Sequence, residues 1–488
     1  MISDALSRAA TRGAAFMTIL TVAGTIVNSC RNIALARLLS PEDFGLIALA
    51  LVLVEGMDAL TFVGVDKYLI QKKEIDDRII GNIWLLNIVR GITLTLLALA
   101  ICPLYSRLVN EPETIHILRI VAFIPLMEGF NNPCAILAER EMKFGRVSIY
   151  ETLCILLEVS IVIVMVWLIR DGTALAWGLL FGAFMTSMLA YVFFPRPKIP
   201  KFDLSVQIEL LGVAKHFVII AAGTLIMVQG DNLIVGALEG KEQLGLYVIA
   251  YQFAMFPLQF LYGITNRVAL PMFSSLQVNK KRLRSVFSYV VQVQLALIIP
   301  FIVVAGVFAH ELITTLYGDQ WTASAVILQA LIFVTLGKGL THVCVPYILG
   351  TGAFSFASKM KIAETLIFLC SVYIGTRYFG LIGTALGAGT GYMAAGIGRL
   401  IFICRDIALP FSAIIRYLLL STVTVIPGIV IARYIADIVT WHRMFETGFI
   451  VGVSMIGYLG CSFIVQKKVV NLLVHALPLN FHHKKQEN

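Results

Sequence analysis

Charge is what this chain has least of. Only 14% of its 488 residues are Asp, Glu, Lys or Arg, against about a quarter in an ordinary soluble domain. With 59% apolar residues and a mean hydropathy of +0.87, a water-soluble enzyme is excluded. The sequence also lacks GxxxxGK[ST], HExxH and GxSxG patterns, so ATP hydrolysis, zinc proteolysis and nucleophile-elbow acyl transfer are not expected, and neither is a cofactor. Disulfide and metal frameworks are missing too. All eight cysteines (Cys30, Cys102, Cys134, Cys154, Cys344, Cys370, Cys404, Cys461) sit in apolar runs without a CxxC pair, which reads as buried free thiols. The tail pair His482-His483 makes a poor metal site by itself. No connecting segment exceeds about twenty residues, which leaves no soluble catalytic domain.

What fills the chain is apolar runs, each long enough to cross about 30 Å of hydrocarbon. Fourteen are expected, at 14–37, 43–64, 80–103, 115–138, 147–169, 173–194, 212–236, 243–264, 286–308, 323–349, 359–378, 383–404, 411–437 and 444–466. Helices follow, because a barrel would show shorter alternating segments. The first run is too long, and lacks the small-residue cleavage site, for a removable signal peptide. With the N-terminus inside, 25 Lys and Arg fall in inner segments and five in outer loops: Arg107, Arg170, Lys241, Arg377 and Arg443. That bias predicts both termini in the cytoplasm. It makes the net charge of +9 a topology signal rather than a nucleic-acid-binding one. The basic run Lys280–Arg284 suits anionic lipid, with a substrate phosphate as the minority reading.

A repeat organises the runs. Arg31–Ala50 aligns without a gap to Asp231–Ala250, with identities at Asn32/Asn232, Leu38/Leu238, Glu42/Glu242, Gly45/Gly245, Leu46/Leu246 and Ala50/Ala250. Spans one and seven carry it and run in the same direction, so the expected architecture is an all-α polytopic membrane protein with two parallel six-helix lobes around a central cavity. The expected divisions are an N-terminal lobe at 1–200, a C-terminal lobe at 201–405, two further helices within 406–466 and a cytoplasmic tail at 467–488. The junction is the basic, proline-punctuated stretch Phe194–Lys201, a linker by composition.

At Leu35–Leu46, LARLLSPEDFGL, the sequence resembles the opening of the Wzx-type polysaccharide flippases, of the multidrug/oligosaccharidyl-lipid/polysaccharide exporter superfamily. Asp231–Gly236 continuing to Leu244–Tyr247, Leu270–Gln277 and Leu316–Trp321 agree in order and spacing. The likeness is greatest to the branch with the colanic acid and teichuronic acid exporters. One departure is Ala237, where the repeat would place a counterpart of Arg37. The resemblance implies export of an undecaprenyl-pyrophosphate-linked oligosaccharide across a bacterial cytoplasmic (inner) membrane. Implied partners are that lipid-linked substrate, membrane lipids, and the polymerase and chain-length components of an export pathway.

The physics of the task explains the need for a protein. A repeat unit carries roughly ten or more hydroxyls, and burying each unpaired costs about 2–7 kcal/mol. A polar lumen removes most of that cost. Ionisable residues within spans usually face such a lumen or a bundle interior. Asn28, Arg31, Arg90 and Lys338 are the deep candidates for attracting the pyrophosphate, with His342 four residues beyond Lys338 on the same helix face. Lys215 and His216 lie near a helix end, where snorkelling competes with substrate contact. Glu55 and Asp58 share a face of helix two, and Glu151 and Glu158 one of helix five. Shared faces serve a lumen and interhelical packing alike. Glu55, Asp58 and Asp231 are candidates for coupling to H⁺ or Na⁺, and structural ion pairs are the competing reading. Arg31 and Asp231 occupy equivalent repeat positions, so they either pair with each other as an outer gate or pair separately.

A drug, cation or lipid II exporter of the same superfamily is the second reading. A membrane polymerase or ligase is the third, disfavoured because the longest outer loop, His310–Thr322, contains no Lys or Arg.

Overall fold

The computed structural model describes residues 22–61, 75–141, 143–198, 223–438 and 443–465, with positions 20, 69 and 203. Lys215, His216, His482 and His483 lie outside them. The described residues form helices and turns, without a strand. Among the described residues, seven helices are long and apolar enough to cross a membrane. Their outer faces stay apolar where a soluble protein would be polar: Leu96, Trp167 and Val192 are 63%, 61% and 75% exposed, as lipid contact requires.

Two compact units emerge, Met1–Ile249 with Phe368–Gly387, and Ala250–Ile367 with Ala388–Asn488. In the first, α1 (22–38) leads to α2 (Pro41–Leu60) through a capping box. The Asp43 N–H donates to the Ser40 hydroxyl (3.3 Å) and the Ser40 N–H to the Asp43 carboxylate (3.0 Å), with Pro41 at the first helical position. Asp43 also accepts from the Gly172 N–H at 2.8 Å. The SPEDFG motif is therefore a helix start, built as capping physics prescribes.

The helix α3 (Asp77–Leu108) is one long span. Run 115–138 is not. It breaks into α4 (Thr114–Val121), α5 (Ile124–Gly129) and α6 (Cys134–Arg140), because Pro125 and Asn131-Asn132-Pro133 interrupt it. The backbone groups freed at the breaks find side chains. Ser187 donates to the Met127 carbonyl (2.7 Å) and Tyr191 to that of Phe130, while the Asn132 amide ties the turn to the distant Pro195 carbonyl (2.9 Å). Irregular backbone at membrane depth survives only with such partners. The helices α7 (Phe144–Ile169) and α8 (Gly172–Phe193) then pack along each other. Arg170, left-handed at φ 60°, turns the chain between them, and Asp171 caps α8.

The second repeat copy comprises α9 (223–239) and the start of α10 (Lys241–Leu276). A Cβ on Gly45 would overlap the Lys241 carbonyl, and one on Gly245 the Pro41 carbonyl. These are equivalent positions offset by two hundred, so the contact is reciprocal, as a two-fold axis demands. Only glycine permits this approach of backbone to backbone.

In the second unit α11 (Lys280–Val307), α13 (Ser324–Gly350) and α15 (Phe411–Ile438) pack around Phe273, Phe287 and Tyr347. A short α12 (Ala309–Tyr317) precedes α13, and α16 (Arg443–Val465) lies along α15. Phe354–Asp406, α14, folds back at Gly380 (φ 58°) into two antiparallel arms. The runs 359–378 and 383–404 are these two arms. Thr376 and Thr384 hydroxyls meet across them at 2.8 Å.

Candidate functional site

The first unit encloses a cavity of 730 Å³, within the usual range of ligand sites. Helical spacing aims its polar lining. Glu55 and Asp58 come from one face of α2, Asn87 and Arg90 from one face of α3, and Thr186 and Ser187 from α8. Arg31 reaches in from α1 and Glu158 from α7. The broken run supplies Glu128, Asn131 and Asn132. A continuous helix through 131–133 would leave no amide-bearing turn there.

Ion pairs organise the charges. The Arg31 guanidinium donates to Glu158 at 2.7 Å and more weakly to Asn32 at 3.4 Å. Arg90 pairs with the Asp58 carboxylate, donates to the Asp58 carbonyl (2.8 Å) and reaches the Thr61 hydroxyl (3.1 Å). Glu55 accepts from the Gln229 amide at 2.5 Å. The Glu128 carboxylate has no hydrogen-bond partner among the described residues, and lies within electrostatic reach of Asp58, Arg90 and Glu55. Both arginine pairs are partly open, with side-chain exposures of 18% and 35% for Arg31–Glu158 and 22% and 38% for Arg90–Asp58. Among the described residues, no three His, Cys, Asp or Glu are placed to share a metal ion.

Of the residues singled out in the sequence, the cavity gathers Arg31, Arg90, Glu55 and Asp58. Asn28 is half-buried on α1 and does not line it. Lys338 and His342 belong to the second unit, on α13. There the Lys338 ammonium hydrogen-bonds the Tyr251 hydroxyl and sits 4.9 and 4.6 Å from the ring centres of Tyr251 and Tyr392. Such a site satisfies the cation with aromatic faces. His342 is buried one turn further on. Asp231, 1% exposed, accepts the Tyr247 hydroxyl at 2.9 Å and its neighbour's N–H at 3.0 Å. Arg31 and Asp231 thus have separate partners, not each other.

The repeat explains that outcome. Tyr247 follows Asp231 by sixteen residues, but the matching residue after Arg31 is Ile47, which offers no polar atom. Arg31 turns to α7 instead. Glu158 is one half of the Glu151/Glu158 face that the sequence offers to a lumen or to packing, whereas Glu128 and the Asn131-Asn132 turn receive no site role from the sequence. Their only sequence signals were the carboxylates inside apolar runs and the Asn-Asn-Pro interruption of run 115–138.

Comparison with known proteins follows the geometry. A family model described as "Polysaccharide biosynthesis protein" matches residues 34–326. The chain is 23% identical over 381 residues to the lipopolysaccharide biosynthesis protein WzxC of Escherichia coli (strain K12), covering 77% of each chain. It is 24% identical over 326 residues to the succinoglycan biosynthesis transport protein ExoT of Rhizobium meliloti (strain 1021), covering 65% of this chain and 64% of ExoT. Among solved structures, the lipid II flippase MurJ in an inward closed conformation superposes with a TM-score of 0.69 at 16% identity, over 93% of this chain and 99% of that one. An inward-facing multidrug resistance MATE transporter gives 0.62 at 16% identity, over 80% and 98%. At such identities these two establish the fold.

Proposed function

From the premise that the chain belongs to the polysaccharide biosynthesis protein family, we propose that it is a flippase for an undecaprenyl-pyrophosphate-linked oligosaccharide, serving surface polysaccharide assembly. The observation that carries this reading is a polar cavity of 730 Å³ set among helices whose outer faces are apolar. The amides of Asn87 and Asn131, the Thr186 hydroxyl and four carboxylates match a ligand made of hydroxyls. Such a lining replaces the water the sugars lose, while the lipid tail stays in hydrocarbon.

In this reading the protein spans the cytoplasmic membrane with both termini inside. The lobes, 1–200 and 201–405, rock about the repeat's two-fold axis to expose the cavity to each side in turn. Glu55, Asp58 and Asp231 are the candidates for coupling to H⁺ or Na⁺, and the polymerase and chain-length proteins are the expected neighbours in the pathway.

Reconstitution tests it. Proteoliposomes holding the protein should make a fluorescent undecaprenyl-pyrophosphate trisaccharide accessible to an added glycosidase on the opposite leaflet. Lipid that stays inaccessible, at the rate of protein-free vesicles, sinks the proposal. A second reading, an organic-cation exporter, draws on the carboxylate excess of the same cavity. Its mark would be pH- or Na⁺-driven efflux of ethidium by the same vesicles.

A further inference from the structure

The start of α11 runs against a preference that α2 and α3 obey. A helix N-terminus carries partial positive charge and favours acidic residues in its first turn. There α2 has Glu42 and Asp43, and α3 has Asp77. Helix α11 has no acid in that turn and opens on Lys280, Lys281, Arg282 and Arg284. Charges that repel the helix they start need an anion from elsewhere.

The fold brings more cations than acids to this end. Lys280 pairs with Asp406 at 2.5 Å, and Asp406 also accepts the Tyr347 hydroxyl at 2.6 Å. That pair sets the end of α14, with Arg405, beside the start of α11. Ser288, one turn beyond Arg284 on the same face, meets the Tyr417 hydroxyl at 3.0 Å, which brings in Arg416 of α15. Lys281, Arg282, Arg284, Arg405 and Arg416 are exposed and make no ion pair among the described residues. Residues 466–488 carry four lysines and one glutamate, so they add positive charge on balance. In the first unit, by contrast, Arg78 pairs with Asp203, Lys198 with Asp77 and Lys143 with Glu141. Topological bias puts cations in both units. It does not gather five of them, unanswered, onto three helix ends.

The surroundings identify the anion. Around Arg416, the α15 residues Phe411, Ile415, Leu419 and Val423 are exposed and apolar. An arginine at the end of such a stripe stands where hydrocarbon gives way to headgroups. None of the five cations lines the cavity of the first unit. We propose that the ends of α11, α14 and α15 form a binding surface for anionic phospholipid headgroups, with Lys281, Arg282, Arg284, Arg405 and Arg416 as its phosphate contacts. Arginine suits the task, because its fork takes two phosphate oxygens at once. This surface lies beyond the flippase reading and stands without it.

Native mass spectrometry of the full-length protein tests it, with phosphatidylglycerol and phosphatidylcholine of identical acyl chains as probes. Wild-type protein should bind phosphatidylglycerol about tenfold more tightly. The variant Arg284→Gln/Arg405→Gln/Arg416→Gln should narrow that ratio to below about threefold, and lysine at the same three positions should keep most of it. Removing equal charge from the first unit, by Lys143→Gln/Arg196→Gln/Lys198→Gln, should leave the ratio unchanged. Both lipids are measured on one preparation, so partial loss of folded protein cancels. No preference in the wild type, an unchanged ratio in the cluster variant, or an equal loss in the first-unit variant overturns the surface. Loss of undecaprenyl-pyrophosphate binding in the cluster variant, with the phosphatidylglycerol preference intact, overturns it too and assigns these cations to substrate.

Discussion

Arginine–carboxylate pairs occur in both compact units, but in different settings. In the first unit, Arg31–Glu158 and Arg90–Asp58 line a cavity, and their side chains are 18–38% exposed. In the second, Arg399 and Glu364 bridge the two arms of α14 at 2.7 Å, with exposures of 5% and 2%. Arg399 also donates to the Thr341 hydroxyl at 3.1 Å. Polar groups on the neighbouring helices are engaged as well: the Gln294 amide donates to the Gly339 carbonyl at 2.5 Å, and tyrosines flank Lys338. A sealed pair holds helices in register, since breaking it strands a charge. A pair beside open space can exchange partners with a ligand. Depth and access, not residue type, separate structure from function here.

The sealed pair should give the largest effect. Glu364→Ala leaves Arg399 buried without its carboxylate, and the expected loss is about 3–5 kcal/mol. It should be read as a drop in the fraction of monodisperse protein extracted from the membrane and in its melting temperature. A Glu364→Ala protein as stable as the wild type would place Arg399 in contact with water and erase the contrast.

Next comes the reciprocal glycine contact. Gly45→Ala and Gly245→Ala each force one helix start away from the other's backbone, a cost of about 1–3 kcal/mol if overpacking governs. Equivalence under the two-fold axis predicts similar losses in thermal stability for the two variants. A loss confined to one of them would show that the contact is not symmetric.

For the open pair the stability effect should be small. Glu158→Gln should change stability by under about 1 kcal/mol, as for other partly exposed pairs, yet lower translocation of the lipid-linked trisaccharide. Arg31→Ala should behave alike, reducing surface polymer in cells without loss of protein from the membrane. If either variant fails to accumulate, the pair belongs with Arg399–Glu364 and the cavity loses its claim to exchangeable charges.

The smallest effect concerns pH. Lys241, at the glycine contact, pairs with Glu113 and lies 3.2 Å from Glu42. The Glu113 hydrogen bond, opposed by burial and helped by Glu42, holds its ammonium above the usual 10.5. A folded pKa above the unfolded one means that the contribution is complete below pH 10.5 and fades as pH rises through the higher folded value. Melting curves should therefore show an extra alkaline decline, under about 1 kcal/mol, that Lys241→Met abolishes.

The family resemblance, the all-helical membrane fold and the repeat were legible in the sequence because each rests on local pattern. A hydrocarbon layer demands about twenty apolar residues per crossing, and SPEDFG announces a helix start through its own short-range hydrogen bonds. Proline and asparagine at 125 and 131–133 mark the break in run 115–138 for the same reason, but apolar content by itself makes the run one span.

The partners of the charges were not legible. Arg31 lies 127 residues from Glu158 and 200 from Asp231, and nothing local distinguishes the two carboxylates. Packing decides, by putting Tyr247 beside Asp231 and the face of α7 beside Arg31. By itself the sequence determined that this chain lives in a membrane as a repeat of helices, since burying backbone in hydrocarbon leaves few alternatives. Only the tertiary structure decided which charges face open space and which are sealed, because an ion pair's role depends on the water around it, and helices far apart in the chain control that water.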